Sequence, residues 1–311
     1  MVNLRYHIVS LVAVFLALGI GVVMGSTVID RGIVDVLNGR VRRVENSLKT
    51  MRDANRHQGD QLRVWSDFAA QAQDQLLVGR LKDVPVLLVG VTGVDRRPVE
   101  DLRDQLLVAN ARVEGTLWLT RKLRLDDDAA TRALAQAIDV APDRPDVVRR
   151  ALTARLGGSL TTGSAPAPNV LNALRDSGFV DFEAPPGAAA EIGRDLSGLL
   201  LPGTRTVLVS GAGAQVADDQ LAIPLAQTMA EQGAPAIAAE AGQDTRGGRS
   251  VFVGLLRNNS DVSGRITTVD NLESLVGQVA VVLAIGELAA PRYGHFGVGP
   301  DAQRLLPSPP S

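Results

Sequence analysis

The sequence predicts an α/β protein in three parts: an N-terminal transmembrane helix over residues 1–30, a long coiled-coil helix over 31–82, and a mainly parallel sheet flanked by helices over 83–288. A flexible tail, 289–311, is expected to follow. Three observations carry this reading. They are an uncharged run of membrane length, a heptad pattern directly after it, and short apolar runs alternating with amphipathic stretches.

The apolar run comes first. Residues 8–29 carry no charge, and 22 residues in a helix reach about 33 Å, enough for a hydrocarbon core of about 30 Å. A retained anchor is the expectation, because the run is longer than a typical signal-peptide core. Cleavage before Ser26 is the alternative, although Val23, Met24 and Gly25 do not make a clear small-x-small site. Within the run, Ala13, Ala17, Gly21 and Gly25 recur every fourth residue and share one side of a helix. Small residues at that spacing let two helix backbones approach in lipid, so this side is the expected membrane dimer face.

The heptads begin after Gly32. With Val34, Val41, Leu48, Asn55, Leu62, Ala69 and Leu76 at a, the d positions are Leu37, Val44, Met51, Gln58, Trp65 and Ala72. A pattern sustained over about six heptads predicts a coiled coil, here a homodimer, with Val41, Leu48, Asn55, Leu62 and Trp65 setting register. Asn55 at an a position restricts register at some cost in stability. A long helix folded back on its own domain is the alternative.

Past residue 83 the pattern changes. Residues 84–91 (VPVLLVGV) form a continuous apolar run, as expected of a strand buried on both faces of a parallel sheet. A helix is expected over 98–111 and a strand over 115–120. Further strands are expected at 178–182, 206–210, 236–239, 250–254 and 278–285, with a helix over 216–232. This alternation gives a Rossmann-like sheet. The stretches SLTTGSAPAP and EAPPGAAA read as surface connections, and RLLPSPPS as a disordered end.

Composition narrows the function. A net charge of −2 over 311 residues gives no electrostatic reason to expect nucleic acid as a partner. The chain has no Cys, which excludes disulfides, thiolate metal sites and Cys nucleophiles. Gly211 and Gly213 follow one predicted strand, and Gly90 and Gly93 close another, but neither pair completes a dinucleotide fingerprint. Both read as tight turns. The triplet Asp126, Asp127 and Asp128 precedes a helical stretch and is expected to cap it. The three His residues, at 7, 57 and 295, form no spaced motif. The expectation is a protein that is not an enzyme.

Two segments then stand out. LRYHIVSLVAVFLALGIGVVMGS at 4–26, and ITTVDNLESLVGQVAVVLAI at 266–285 running on to YGHFGVG at 293–299, resemble the actinobacterial MctB family of copper transport proteins. The resemblance implies copper homeostasis or efflux at the cell envelope, with copper as the metal and His7 and His295 as the matching ligand candidates. It equally takes in SteB-like members, for which it implies a scaffold role in cell separation with a SteA-like protein partner. Copper(I) prefers thiolate and thioether ligands, and Met1, Met24, Met51 and Met229 do not cluster in the sequence.

Orientation divides the sequence signals. Arg31, Arg40, Arg42, Arg43 and Lys49 outweigh Arg5, which by the positive-inside rule retains the bulk in the cytoplasm. A short head before a long apolar run reads as a signal anchor instead, and the family layout implies a cell-membrane protein with its bulk extracytoplasmic.

Overall fold

The computed structural model describes residues 4–162, 170–188, 195–242, 252–289, 292–299 and 301–308. The chain divides into two compact units, Met1–Phe68 and Ala69–Ser311.

Helix α1 spans Leu4–Leu77 without interruption, so the anchor and the heptad segment share one helix. Its last turn belongs to the second unit. There Leu77, with Leu81 just beyond it, is fully buried in a cluster that includes Leu102, Leu106 and Ile285.

The second unit is a doubly wound sheet. Strand β1 (Pro85–Val91) is followed by α2 (Arg97–Val108), β2 (Arg112–Leu119) and a 3₁₀ turn at Arg121–Arg124. Helices α3 (Asp128–Ala137), α4 (Pro145–Thr162) and α5 (Val170–Asp176) then lead to β3 (Val180–Glu183). Next come β4 (Arg205–Gly211), α6 (Ala222–Glu231), β5 (Ala236–Ala241), α7 (Phe252–Arg257) and α8 (Ser260–Ser263). Strand β6 (Thr267–Val269), α9 (Leu275–Glu287) and β7 (His295–Phe296) complete the order.

The strands lie in the order β3-β2-β1-β4-β5-β6-β7, and only β3 runs antiparallel to its neighbour. Alternate side chains go to opposite faces, which explains the continuous apolar runs. Leu87, Val89 and Leu208 pack with Leu134, Leu152 and Leu225 on one face. Val86, Leu88, Val207 and Val209 pack with Leu102, Leu106 and Val281 on the other. Two cores therefore sandwich one sheet.

Several local expectations need correction. Residues 278–285 belong to helix α9, not to a strand. An apolar run buried on every side carries no period to separate the two states, and here length and capping decide. The 13-residue helix begins at Ser274, whose hydroxyl accepts a hydrogen bond from the Gly277 amide at 3.1 Å. The strand expected at 250–254 is also helical from Phe252, where the Val253 amide donates to the buried Glu240 carboxylate at 2.8 Å. Ser250 and Val251 lie outside the described residues, as do 163–168 of SLTTGSAPAP and 189–190 of EAPPGAAA. Helix α6 starts at Ala222 instead of 216, with Pro224 in its first turn, where proline is tolerated. The sheet takes its sixth and seventh strands from short segments, and β7 lies within 289–311, where a flexible tail is expected. Asp127 caps α3 as expected, its carboxylate accepting from the Ala130 amide at 2.6 Å.

The turns after β1 and β4 meet at the point where the strand order reverses. A Cβ on Gly93 would collide with the Gly213 carbonyl oxygen, and a Cβ on Gly213 would lie 2.6 Å from the Gly93 oxygen. Both residues have positive φ, 100° and 89°, which favours glycine. Gly93→Ala should therefore cost at least about 2 kcal/mol of unfolding free energy, from the strained φ and the collision together. Gly264→Ala, in open space at an ordinary φ, should stay within about 0.5 kcal/mol of wild type in the same denaturant titration.

Candidate functional site

Three regions hold the residues singled out from sequence. The first is the membrane segment of α1. Leu4–Gly25 is long and apolar enough to cross a membrane, and none of it is buried by the protein. Ala13, Ala17 and Gly21 are exposed and Gly25 is half-buried; a Cβ at either glycine would meet nothing within 4 Å. His7 is exposed on the same helix.

The second region is the heptad stripe. Val41, Leu48, Leu62 and Trp65 are 48%, 47%, 70% and 67% exposed, and Asn55 is exposed among them. The side chain of Ala72 and that of Val34 lie outside the described residues. Trp65 meets Phe68 edge-on at 6.1 Å between ring centroids. Leaving large apolar groups in water forgoes about 1.5–3 kcal/mol for each that could be buried.

The third region surrounds His295 on β7, a residue of the second unit, whereas His7 belongs to the first. His295 is buried, with Nδ1 2.9 Å from the Thr268 hydroxyl. That hydroxyl accepts from Arg257 Nε at 2.8 Å. Arg257 also donates to the Asp270 carboxylate at 2.6 Å and to the Phe296 carbonyl at 2.8 Å. The Val298 and Gly299 amides, at 2.8 and 3.0 Å, complete the cage around Asp270. A Cβ on Gly297, where φ is 131°, would strike the Asp270 carboxylate. The Gly-rich segment around His295 is therefore shaped by a buried ion pair.

This setting bears on metal chemistry. Burial first, and the Arg257 charge second, hold the His295 pKa below the ordinary histidine value. Nδ1 is already engaged. Among the described residues no three His, Asp or Glu side chains gather as a metal site. Met229 is fully buried in the core, while the Met24 and Met51 thioethers are exposed on α1. Sequence reasoning missed the Arg257, Thr268 and Asp270 partners, since nothing in their spacing marks them as neighbours of His295.

The crevice between β1 and β4 is where doubly wound sheets hold nucleotides. Here the protein's own backbone occupies it. Besides the Gly93 and Gly213 contact, the Gln215 amide donates to the Thr92 carbonyl at 2.8 Å, and the Thr92 hydroxyl donates to the Gln215 side chain at 3.1 Å.

Comparison with known proteins follows this architecture from end to end. Residues 1–307 match the family model described as "Copper transport outer membrane protein, MctB". The chain belongs to the MctB family. Proteins named copper transporter MctB from Mycobacterium bovis and Mycobacterium tuberculosis are 24% identical over 327 aligned residues, covering 99% of this chain and 100% of each relative. The Mycobacterium leprae protein of that name is 24% identical over 328, covering 98% and 99%. The MctB match includes both the membrane-length helix and the residues around His295.

The depressed pKa gives a signed expectation. The unfolded chain takes up a proton on His295 near pH 6.5, before the folded chain does, so this residue's contribution is intact above that pH and is lost as pH falls. Unfolding free energy should therefore decline as pH falls below about 6.5, and His295→Gln should flatten that decline. An equal slope in the variant would show that His295 does not titrate differently on folding.

Proposed function

We propose that this chain is a single-pass cell-envelope protein that serves copper transport without enzymatic chemistry, working as a homodimer held along α1. The observation that carries the copper part is the MctB family match over residues 1–307, with relatives named copper transporters matching over nearly full length. The membrane-length helix supports anchoring in the cell membrane. In this reading the bulk lies outside the cytoplasm, the layout that the MctB resemblance implies.

The dimer reading rests on two faces of one helix. Ala13, Ala17, Gly21 and Gly25 offer close approach in lipid, and the a and d residues offer a seam in water. A symmetric partner satisfies both. The closed β1–β4 crevice supports a non-enzymatic role, because it fills with backbone the place where this architecture would take a dinucleotide.

A second reading is a dimeric coiled-coil scaffold of cell separation, like SteB with a SteA-like partner. The specific observation in its favour is the exposed stripe from Val41 to Trp65, an extended helical surface suited to protein contact. Copper on this reading is incidental.

One deletion strain separates the two. Cellular copper, growth under added copper and cell-separation morphology are measured together, with the full chain supplied back as the control. The copper reading expects copper content to rise and tolerance to fall, with normal separation, all restored by the chain. Unchanged copper with unseparated cells overturns it in favour of the scaffold.

A further inference from the structure

A cavity of about 440 Å³ opens beside the closed crevice, lined by Arg124, Asp126, Pro145, Arg149, Gln215 and Gln220, with Ala214 and Ala217. It lies on the side of the sheet where the parallel strands end. Arg124 closes the 3₁₀ turn that follows β2, and the glutamines belong to the loop that follows β4.

Local geometry builds this pocket. Leu125, itself buried, adopts the left-handed conformation at φ 57°, which a leucine rarely takes, and so turns Arg124 and Asp126 to the same side. Arg124 Nε stands 3.3 Å from the Asp126 carboxylate. Arg149, half-buried near the start of α4, donates one Nη1 hydrogen bond to the Arg124 carbonyl at 2.7 Å, which fixes its guanidinium in place. The loop wall is held from below. The Ser210 hydroxyl donates to Asp218, whose pKa burial raises, and Gln215 is bonded to Thr92 through both backbone and side chain.

The donor count points to an anion. A guanidinium has five N–H groups, and among the described residues Arg149 engages only Nη1 and Arg124 only Nε. The lining carries two positive charges against one negative. Two guanidinium forks match a phosphate or carboxylate. Asp126 adds an acceptor for a ligand hydroxyl. The apolar lining is alanine and proline with no aromatic ring, which offers a nucleobase nothing to stack on.

We propose that this cavity binds a small hydroxylated oxyanion, a sugar phosphate in class, with Arg124 and Arg149 on the phosphate and Asp126 on a hydroxyl. The site is independent of copper and of the α1 seam. It uses the strand-end face of the fold, displaced from the closed crevice to its flank.

The test is calorimetric titration of the detergent-solubilised full chain with glucose 6-phosphate, inorganic phosphate and glucose. Glucose 6-phosphate should bind saturably at one site per chain, phosphate more weakly, and glucose not at all. Affinity for the sugar phosphate should fall with added salt. Arg124→Ala and Arg149→Ala should each weaken it by roughly tenfold or more, the loss of a charge-assisted hydrogen bond. Asp126→Asn should remove most of its advantage over phosphate. Because Arg149 also braces the 3₁₀ turn, Gln220→Trp provides a second variant that fills the cavity and leaves both arginines intact, and it should abolish binding. No saturable binding of either anion overturns the proposal, as does full affinity in Arg149→Ala or Gln220→Trp. Phosphate binding as tight as the sugar phosphate overturns the hydroxylated class.

Discussion

Helix α1 carries more apolar surface than its own chain covers, and every functional reading of the first unit depends on that constraint. The membrane-length window is 0% buried by protein, and the heptad residues past it remain open. A bilayer would accommodate the first part, since an uninterrupted helix satisfies its backbone hydrogen bonds internally and needs only an apolar solvent. The heptads lie beyond that candidate span. In the proposed dimer another helix of matching period covers their apolar groups, since a stripe that repeats every seven residues fits best against a copy of itself.

The second unit meets the opposite condition. Its strands are apolar on both sides because two helical layers cover the sheet, and the strand order brings the β1 and β4 turns to one point. At that point two glycines let backbones touch. The architecture is that of nucleotide-binding folds, yet its usual crevice holds protein. At the far edge, the Arg257 and Asp270 pair is almost fully buried, 3% and 1% exposed, and survives there because each partner is hydrogen-bonded on several sides. His295 belongs to that support. Its burial ties the last strand to the sheet and holds its pKa below the ordinary histidine value.

Much of this was legible in the sequence, for physical reasons that also explain the rest. The strands β1, β2, β4 and β5 announce themselves through apolar runs bounded by turns, and the heptads through their period. Helix α9 hides because its 278–285 core is apolar and almost wholly buried, which erases the polar stripe that would reveal 3.6-residue spacing. Strands β6 and β7 are three and two residues long, too short for any period. The role of His295 depends on Arg257, Thr268 and Asp270, and the cavity on residues as distant as Arg124 and Gln220; only the folded topology brings such groups together. The aspartate cap at Asp127 was readable because its partner lies three residues away.

The self-complementary seam of α1 is the account's central claim, and disulfide crosslinking in native membranes tests it most directly. The chain contains no Cys, so each introduced thiol is unique. Leu48→Cys and Leu62→Cys, at a positions, should give symmetric disulfide-linked dimers under mild oxidation. Asp53→Cys, on the opposite side of the helix, should remain monomeric. Monomer at all three positions, or equal crosslinking at Asp53, would contradict the seam.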